Sequence, residues 1–240
     1  MIVSFFITIY NMDMDIKLRL FQIISEQFKN HGFQLYLVGG TVRDYLLSLP
    51  LTDMDAVTDA TPNEMKSFLS DADYTFAKYG SVRYVLEGVK FDITTLREEG
   101  DYLDARHPRK VQFVKNLSSD VKRRDFTING LYLNSGFEVI DLVQGKQDLV
   151  NHLLKTIGDA DQRIKEDPLR IIRAIRFAID FDLVLDESLV KAIQENMELV
   201  HSLNIDKVKQ DMKKMKCDDQ DKIMKFFTKY NFTHLLDVLK

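Results

Sequence analysis

The sequence predicts an α+β fold in two parts: a mixed sheet with helices over residues 1–150, then an all-helical segment over 151–240. Three observations predict it. Up to about residue 140, apolar runs of strand length alternate with helical periods. Composition shifts near residue 118. From about residue 159, one helical period follows another.

Taken in order, LRLFQIISEQF (18–28) carries apolar residues at 18, 20, 21, 23, 24 and 28, a helical pattern. FQLYLV (33–38) reads as a strand. TVRDYLLSL (41–49) reads as a helix stopped by Pro50. MDAVT (54–58) is a second strand. Asp59 or Thr61, followed by Pro62, opens a helix over 63–70. Residues 74–97 read as three strands (YTFAK, SVRYVLEG and VKFDITTLR), the last two forming a hairpin at Glu87-Gly88. EEGDYLDARHPRK (98–110) is a polar loop, and VQFV a further strand. SSDVKRRDFTINGLYLN reads as a helix feeding a strand, and FEVIDL as one more. Helices are predicted at 159–165, 168–180, 186–200, 205–216 and 219–229, with a short one to 239.

The chain of 240 residues is 45% apolar, enough for a substantial core. Its net charge is −4, so contact with nucleic acid requires a local basic patch. Cys217 is the single cysteine, which excludes an internal disulfide and fits a cytoplasmic setting. The apolar start MIVSFFITIYNM is about half a bilayer span and lacks the basic leader of a signal peptide. It reads as an added strand, a disordered tip or a misplaced start, with Met12 or Met14 as the true one. No membrane partner is expected.

Residues 37–59, LVGGTVRDYLLSLPLTDMDAVTD, carry the first chemistry. A strand ending in Gly39-Gly40 before a helix lets backbone N–H groups approach an anion. Arg43, one turn on, adds a bidentate phosphate donor. Asp53 and Asp55 alternate along a strand and share a face, where two carboxylates repel unless a cation sits between them. Such hard oxygens suit Mg²⁺. Taken singly, these features are more often a tight turn, a surface arginine and a solvated edge. Together they are the parts needed to hold Mg²⁺ and a nucleoside triphosphate. Asp92, on a neighbouring strand, is a third carboxylate or equally an exposed strand residue.

GGTVRD (39–44) and DMD (53–55) resemble the head of the polymerase-beta-type nucleotidyltransferases. VKRRDFTIN (121–129), IDLVQGKQDL (140–149) and EDPLRIIRAIRF (166–177) follow in the order found in class II CCA-adding enzymes, the tRNA nucleotidyltransferases, a class shared with bacterial poly(A) polymerases. The resemblance spans about residues 15 to 215. It implies addition of C, C and A to the tRNA 3′ end from CTP and ATP. It implies Asp53 and Asp55 as ligands of a catalytic Mg²⁺, and a triphosphate contact at Gly39, Gly40 and Arg43. Arg124 is then a nucleotide contact, with Asp125 and Asn129 near the ribose. Asp167 and Arg170 form the base-reading pair, and Arg173 and Arg176 bind the nucleotide too.

In EDPLRIIRAIRF the arginines recur every third residue, opposite Ile171, Ala174, Ile175 and Ala178. One face packs and the other presents three cations. Asp167 before Pro168 also fits a plain helix cap. As a base reader, ionised Asp167 only accepts and Arg170 only donates hydrogen bonds. That pattern fits the pairing edges of both cytosine and adenine. Uracil and guanine would leave groups unpaired, at about 1–3 kcal/mol each.

The 98–110 loop resembles the flexible loop of A-adding and CCA-adding enzymes, with Arg106 either bridging to the nucleotide or solvated. The resemblance implies a longer chain, since members of that class usually run to about 400 residues, and IDKVKQDM (205–212) departs from their Glu-Arg-Ile neck pattern. Lysines at 207, 209, 213, 214, 216, 222 and 225 form either a phosphate-binding surface or a solvated face balanced by Asp206, Asp211, Asp218 and Asp219. An A-adding enzyme or poly(A) polymerase, and a non-catalytic nucleotide- and RNA-binding module, are the alternatives.

Overall fold

The computed structural model describes residues 2–99, 102–104, 107–108 and 111–236. The chain divides into two compact units. One comprises Met1–Gly100, Lys110–Arg124 and Asn129–Val143; the other comprises Asp101–Arg109, Asp125–Ile128 and Gln144–Lys240.

In the first unit a six-stranded mixed sheet runs in the order β10-β9-β1-β2-β4-β3. Its strands are β1 (Leu35–Val38), β2 (Met54–Thr58), β3 (Ser81–Leu86), β4 (Val89–Thr95), β9 (Leu131–Leu133) and β10 (Val139–Asp141). β2 and β4 pair in parallel, and the other neighbours are antiparallel. The predicted hairpin joins β3 to β4, with Glu87 and Gly88 both at positive φ, as a tight two-residue turn requires. Helix α1 (Ile2–Asn30) sets Leu20, Phe21, Ile24 and Phe28 into the core beside Leu37, Met54, Phe91 and Leu133. The predicted helix lies inside it. The added-strand reading of the start is overturned, because residues 2–12 continue the helical register.

Three other expectations are corrected. YTFAK forms no strand: Ala77–Tyr79 is one 3-10 turn closed by Gly80 in the left-handed region. A Cβ on Gly80 would also stand 2.7 Å from the Phe113 ring. The helix predicted over 63–70 is shortened to α3 (Pro62–Met65), though its start has the reciprocal Thr61–Glu64 cap. The polar stretch from 98 contains short strands: β5 (Arg97–Glu99) pairs with β8 (Val111–Phe113), and β6 (Tyr102–Asp104) with β7 (His107–Pro108). Arg106 lies outside the described residues. β6 and β7 belong to the second unit, and helices α2 (Gly40–Leu46) and α4 (Leu117–Asp120) to the first.

The second unit is mainly helical: α5 (Gly145–Val150), α6 (Ala160–Glu166), α7 (Leu169–Asp180), α8 (Glu187–Asn196), α9 (Ile205–Met212) and α10 (Gln220–Tyr230). It is not all-helical. β11 (Leu153–Leu154) and β12 (Val184–Leu185) form a small parallel pair. Helix α7 is the axis of its core. Ile171, Ile172, Ala174, Ile175 and Ile179 are buried, and Phe177 meets Phe126 edge-on at 5.9 Å. Among the described residues no helix is long and apolar enough to cross a membrane.

Candidate active site

The β1–α2 turn supports the first group of predicted residues. Gly39 adopts φ 68°, ψ −131°, a conformation L residues rarely take. Its N–H donates to the Leu131 carbonyl on β9 at 3.2 Å, which ties the turn to the sheet. Gly40 packs against Arg43: a Cβ there would lie 3.4 Å from Nη2.

Thr41, the second residue of α2, holds the D-x-D backbone. Its hydroxyl donates to the Asp53 carbonyl at 3.0 Å and accepts the Asp55 N–H at 3.1 Å. Both aspartate side chains are exposed, while Met54, Ala56 and Val57 are buried beneath them. Parallel pairing of β2 with β4 sets Asp55 opposite Asp92. Asp92 also accepts from Arg83 Nε at 2.8 Å and has Lys90 Nζ at 3.5 Å.

Beside this pair lies a cavity of about 220 Å³. Gly39, Asp55, Asp92 and Thr94 line it together with Arg97, Arg123 and Arg124. Asp53 is not among the lining residues. The cavity therefore has carboxylates from two strands and cations from three arginines. Among the described residues, no three His, Cys, Asp or Glu side chains converge on one metal position. A pair of exposed hard oxygens next to a cation-lined cavity still fits Mg²⁺, which takes much of its shell from water and substrate oxygens.

Behind the cations sits Asp120, wholly inaccessible to solvent. Oδ1 accepts from Arg123 Nε at 2.8 Å and from the Arg97 amide at 3.3 Å. Oδ2 accepts from Arg124 Nη2 at 2.8 Å, from Arg124 Nε at 3.0 Å and from the Tyr132 hydroxyl at 2.9 Å. Burial pushes the Asp120 carboxyl up, but Arg124 and Arg123 outweigh it and hold the group below the ordinary aspartate value. Burial pushes the Tyr132 phenol well up, so the hydroxyl stays a donor.

Arg43 departs from the expected phosphate contact. It is buried, with Nε and Nη2 on Asp44 Oδ1 at 2.9 and 2.7 Å and Nη1 on Asn129 Oδ1 at 2.8 Å. It braces Asn129 against α2.

The remaining predicted residues belong to the helical unit. The expected open face of three cations on α7 is corrected. Arg170 and Arg176 are buried, and each arginine has a carboxylate nearby. Arg170 donates to the Arg163 carbonyl at 2.7 Å and lies 3.4 Å from Glu166, which also pairs with Arg163. Arg173 meets Asp125 at 2.6 Å, and Arg176 meets Asp211 at 2.8 Å. Asp211 is thus a partner of α7 and not a counter-charge for the lysines. Asp167 ends α6, and its Oδ1 accepts the Leu169 N–H at 3.2 Å just ahead of α7, whose N-cap is Pro168.

Sequence reasoning missed Thr41, Arg97, Asp120, Arg123 and Tyr132. Asp120 had a readable signal: arginines three and four residues on are neighbours on one helical turn. Arg97 and Thr41 had none, because their partners lie outside their own elements: Asp120 and Tyr79 for Arg97, Asp53 and Asp55 for Thr41.

A family model described as the poly A polymerase head domain matches residues 35–155. The chain is 38% identical over 192 residues to the CCA-adding enzyme of Staphylococcus saprophyticus, covering 80% of this chain and 48% of that protein. It is 39% identical over 192 residues to the CCA-adding enzyme of Limosilactobacillus reuteri, with the same coverage. The chain thus spans about half the length of the curated relatives it matches. Its fold aligns with the crystal structure of the Bacillus stearothermophilus CCA-adding enzyme in complex with CTP at a TM-score of 0.74 and 32% identity, over 81% of this chain and 47% of that one. With half of its residues matched by the family model, the chain belongs to the poly A polymerase head-domain family.

Proposed function

We propose that this chain is a nucleotidyltransferase that adds C, C and A to the 3′ end of tRNA, taking them from CTP and ATP. The observation that carries the proposal is the cavity with Asp55 and Asp92 on one wall and Arg97, Arg123 and Arg124 on another. A triphosphate needs both: cations for its phosphate oxygens, and carboxylates beside the reacting phosphorus.

Asp53 and Asp55 are the residues that would hold Mg²⁺, with Asp92 as the third carboxylate. When bound, the ion supplies charge neutralisation at the phosphates and lowers the pKa of a coordinated hydroxyl. The protein's own part is positioning. Thr41 fixes the spacing of the two carboxylates, and the three arginines fix the triphosphate. Gly39 keeps the turn clear for its approach, and Arg43 holds Asn129 for the ribose. For the helical unit the family resemblance alone supports the roles: Asp125 near the ribose, Asp167 with Arg170 as base readers, and Arg173 and Arg176 as nucleotide contacts. The tRNA 3′ hydroxyl attacks the α-phosphorus, and pyrophosphate leaves.

The test supplies tRNA ending before CCA, in C and in CC, with CTP and ATP singly and together. Completion of CCA on all three supports the proposal. Incorporation of A alone onto the CC-ending tRNA identifies an A-adding enzyme. Extended A tails identify a poly(A) polymerase. No incorporation beside an active control enzyme identifies a binding module.

A further inference from the structure

Asp120 touches no position a substrate can reach, since it has no solvent-accessible surface. Yet each of the three arginines lining the cavity makes a hydrogen bond to it. Three like charges around about 220 Å³ repel one another, and each long side chain has many rotamers to lose. One buried anion among them offsets the repulsion and sets the directions of the Arg123 and Arg124 guanidiniums, while Arg97 is held through its backbone amide and turns its own guanidinium to the Tyr79 carbonyl.

The five donors described above already exceed the roughly four lone-pair sites of a carboxylate. Tyr132 adds a neutral donor from β9, and Arg124 lies over its ring at 5.2 Å. Arg124 is thereby fixed in plane by two bonds to Oδ2 and in tilt by the ring. Its Nη1 comes within 3.8 Å of where a Gly39 Cβ would stand, so the same guanidinium borders the glycine turn.

We propose that Asp120, seconded by Tyr132, is the positioning residue of the site: it aims Arg123 and Arg124, and through the Arg97 amide the start of β5, at a triphosphate in the cavity. This rests on reading the cavity as a nucleoside triphosphate site. It adds a specific claim, that anion affinity is governed by a residue the anion does not touch.

The experiment measures tripolyphosphate binding by calorimetry, and the KM for CTP and ATP on tRNA, for the full chain and for Asp120→Asn, Arg124→Lys, the double variant and Tyr132→Phe. Asp120→Asn is expected to weaken tripolyphosphate binding and raise the nucleotide KM about tenfold, with a smaller change in kcat. Because part of the Asp120 effect runs through Arg124, the double variant should lose less than the product of the two single losses. Unchanged binding in Asp120→Asn, or losses that multiply in the double variant, overturn the proposal. Should Asp120→Asn fail to fold, Tyr132→Phe carries the test: it should melt near wild type and bind about threefold more weakly, and wild-type affinity would overturn the proposal. A wild-type chain that binds tripolyphosphate but transfers no nucleotide would sink the functional reading and leave the Asp120 measurement intact. A wild-type chain that binds no tripolyphosphate overturns both.

Discussion

The Thr41 hydroxyl accepts the Asp55 amide at 3.1 Å while giving its proton to the Asp53 carbonyl at 3.0 Å. One buried hydroxyl on α2 thereby sets the spacing of the two carboxylates. Thr41→Val keeps the shape and removes both bonds. It should cost about 1–3 kcal/mol of stability, because the Asp55 N–H loses its partner. Transfer should fall at least tenfold. Denaturant unfolding and steady-state kinetics on the same preparation check both.

Asp53→Ala and Asp55→Ala should each abolish transfer and leave the fold intact, since both side chains are exposed. Circular dichroism and nucleotide incorporation measure this together. Turnover near wild type in either variant would remove that residue from the proposed metal site.

Asp167 Oδ1 accepts the Leu169 N–H at the start of α7, a contact that the Asn carbonyl can also make. Asp167→Asn should therefore melt within about 1 °C of wild type. Its amide can donate as well as accept, so discrimination against UTP and GTP should relax. Asp167→Ala should lose about 1 kcal/mol in addition. Selectivity unchanged in the Asn variant would remove Asp167 from the base-reading role.

Asp211→Ala leaves the Arg176 guanidinium buried without its carboxylate. A cost of about 3 kcal/mol is expected, read as a lower urea midpoint at constant slope. Replacing the exposed Lys191 should cost under about 0.5 kcal/mol in the same assay.

The pH dependence of stability follows from Asp120 and Tyr132. In the folded state the arginines hold Asp120 below its ordinary value, so the unfolded chain binds that proton more readily. Its contribution is complete above about pH 4 and is lost as pH falls through the folded value. Burial raises Tyr132, so its contribution is complete below about pH 10 and is lost on further alkalinisation. Melting curves of wild type and Asp120→Asn from pH 6 to pH 3 should converge as the acid end is approached.

Much of the sheet was legible because its strands obey local rules. MDAVT, SVRYVLEG and VKFDITT each pair a β-rich run with a glycine or proline boundary. The start of α3 and the Glu87-Gly88 turn follow from local chemistry in the same way. YTFAK was misread because its alternation imitates a strand, whereas Gly80 and the Phe113 ring favour a 3-10 turn. In the candidate site, the exposed carboxylates and Gly39 announced themselves by residue type. Arg173 and Arg176 on α7 did not, because their partners Asp125 and Asp211 lie far along the chain. Periodicity tells which face a side chain occupies and is silent on whether a distant carboxylate has covered it.

The parallel pairing of β2 with β4 bears on how the molecule acquires its activity. Asp55 and Asp92 become neighbours only after α3, β3 and the hairpin turn have been laid down and β4 has docked beside β2. A pairing this non-local forms against loop-closure entropy, later than helices and hairpins. A nascent or refolding chain can therefore hold α1 and the β3–β4 hairpin and still have no cavity. Recovery of transfer after dilution from denaturant times the closing of the sheet's centre, while far-ultraviolet ellipticity, dominated by helices, recovers first.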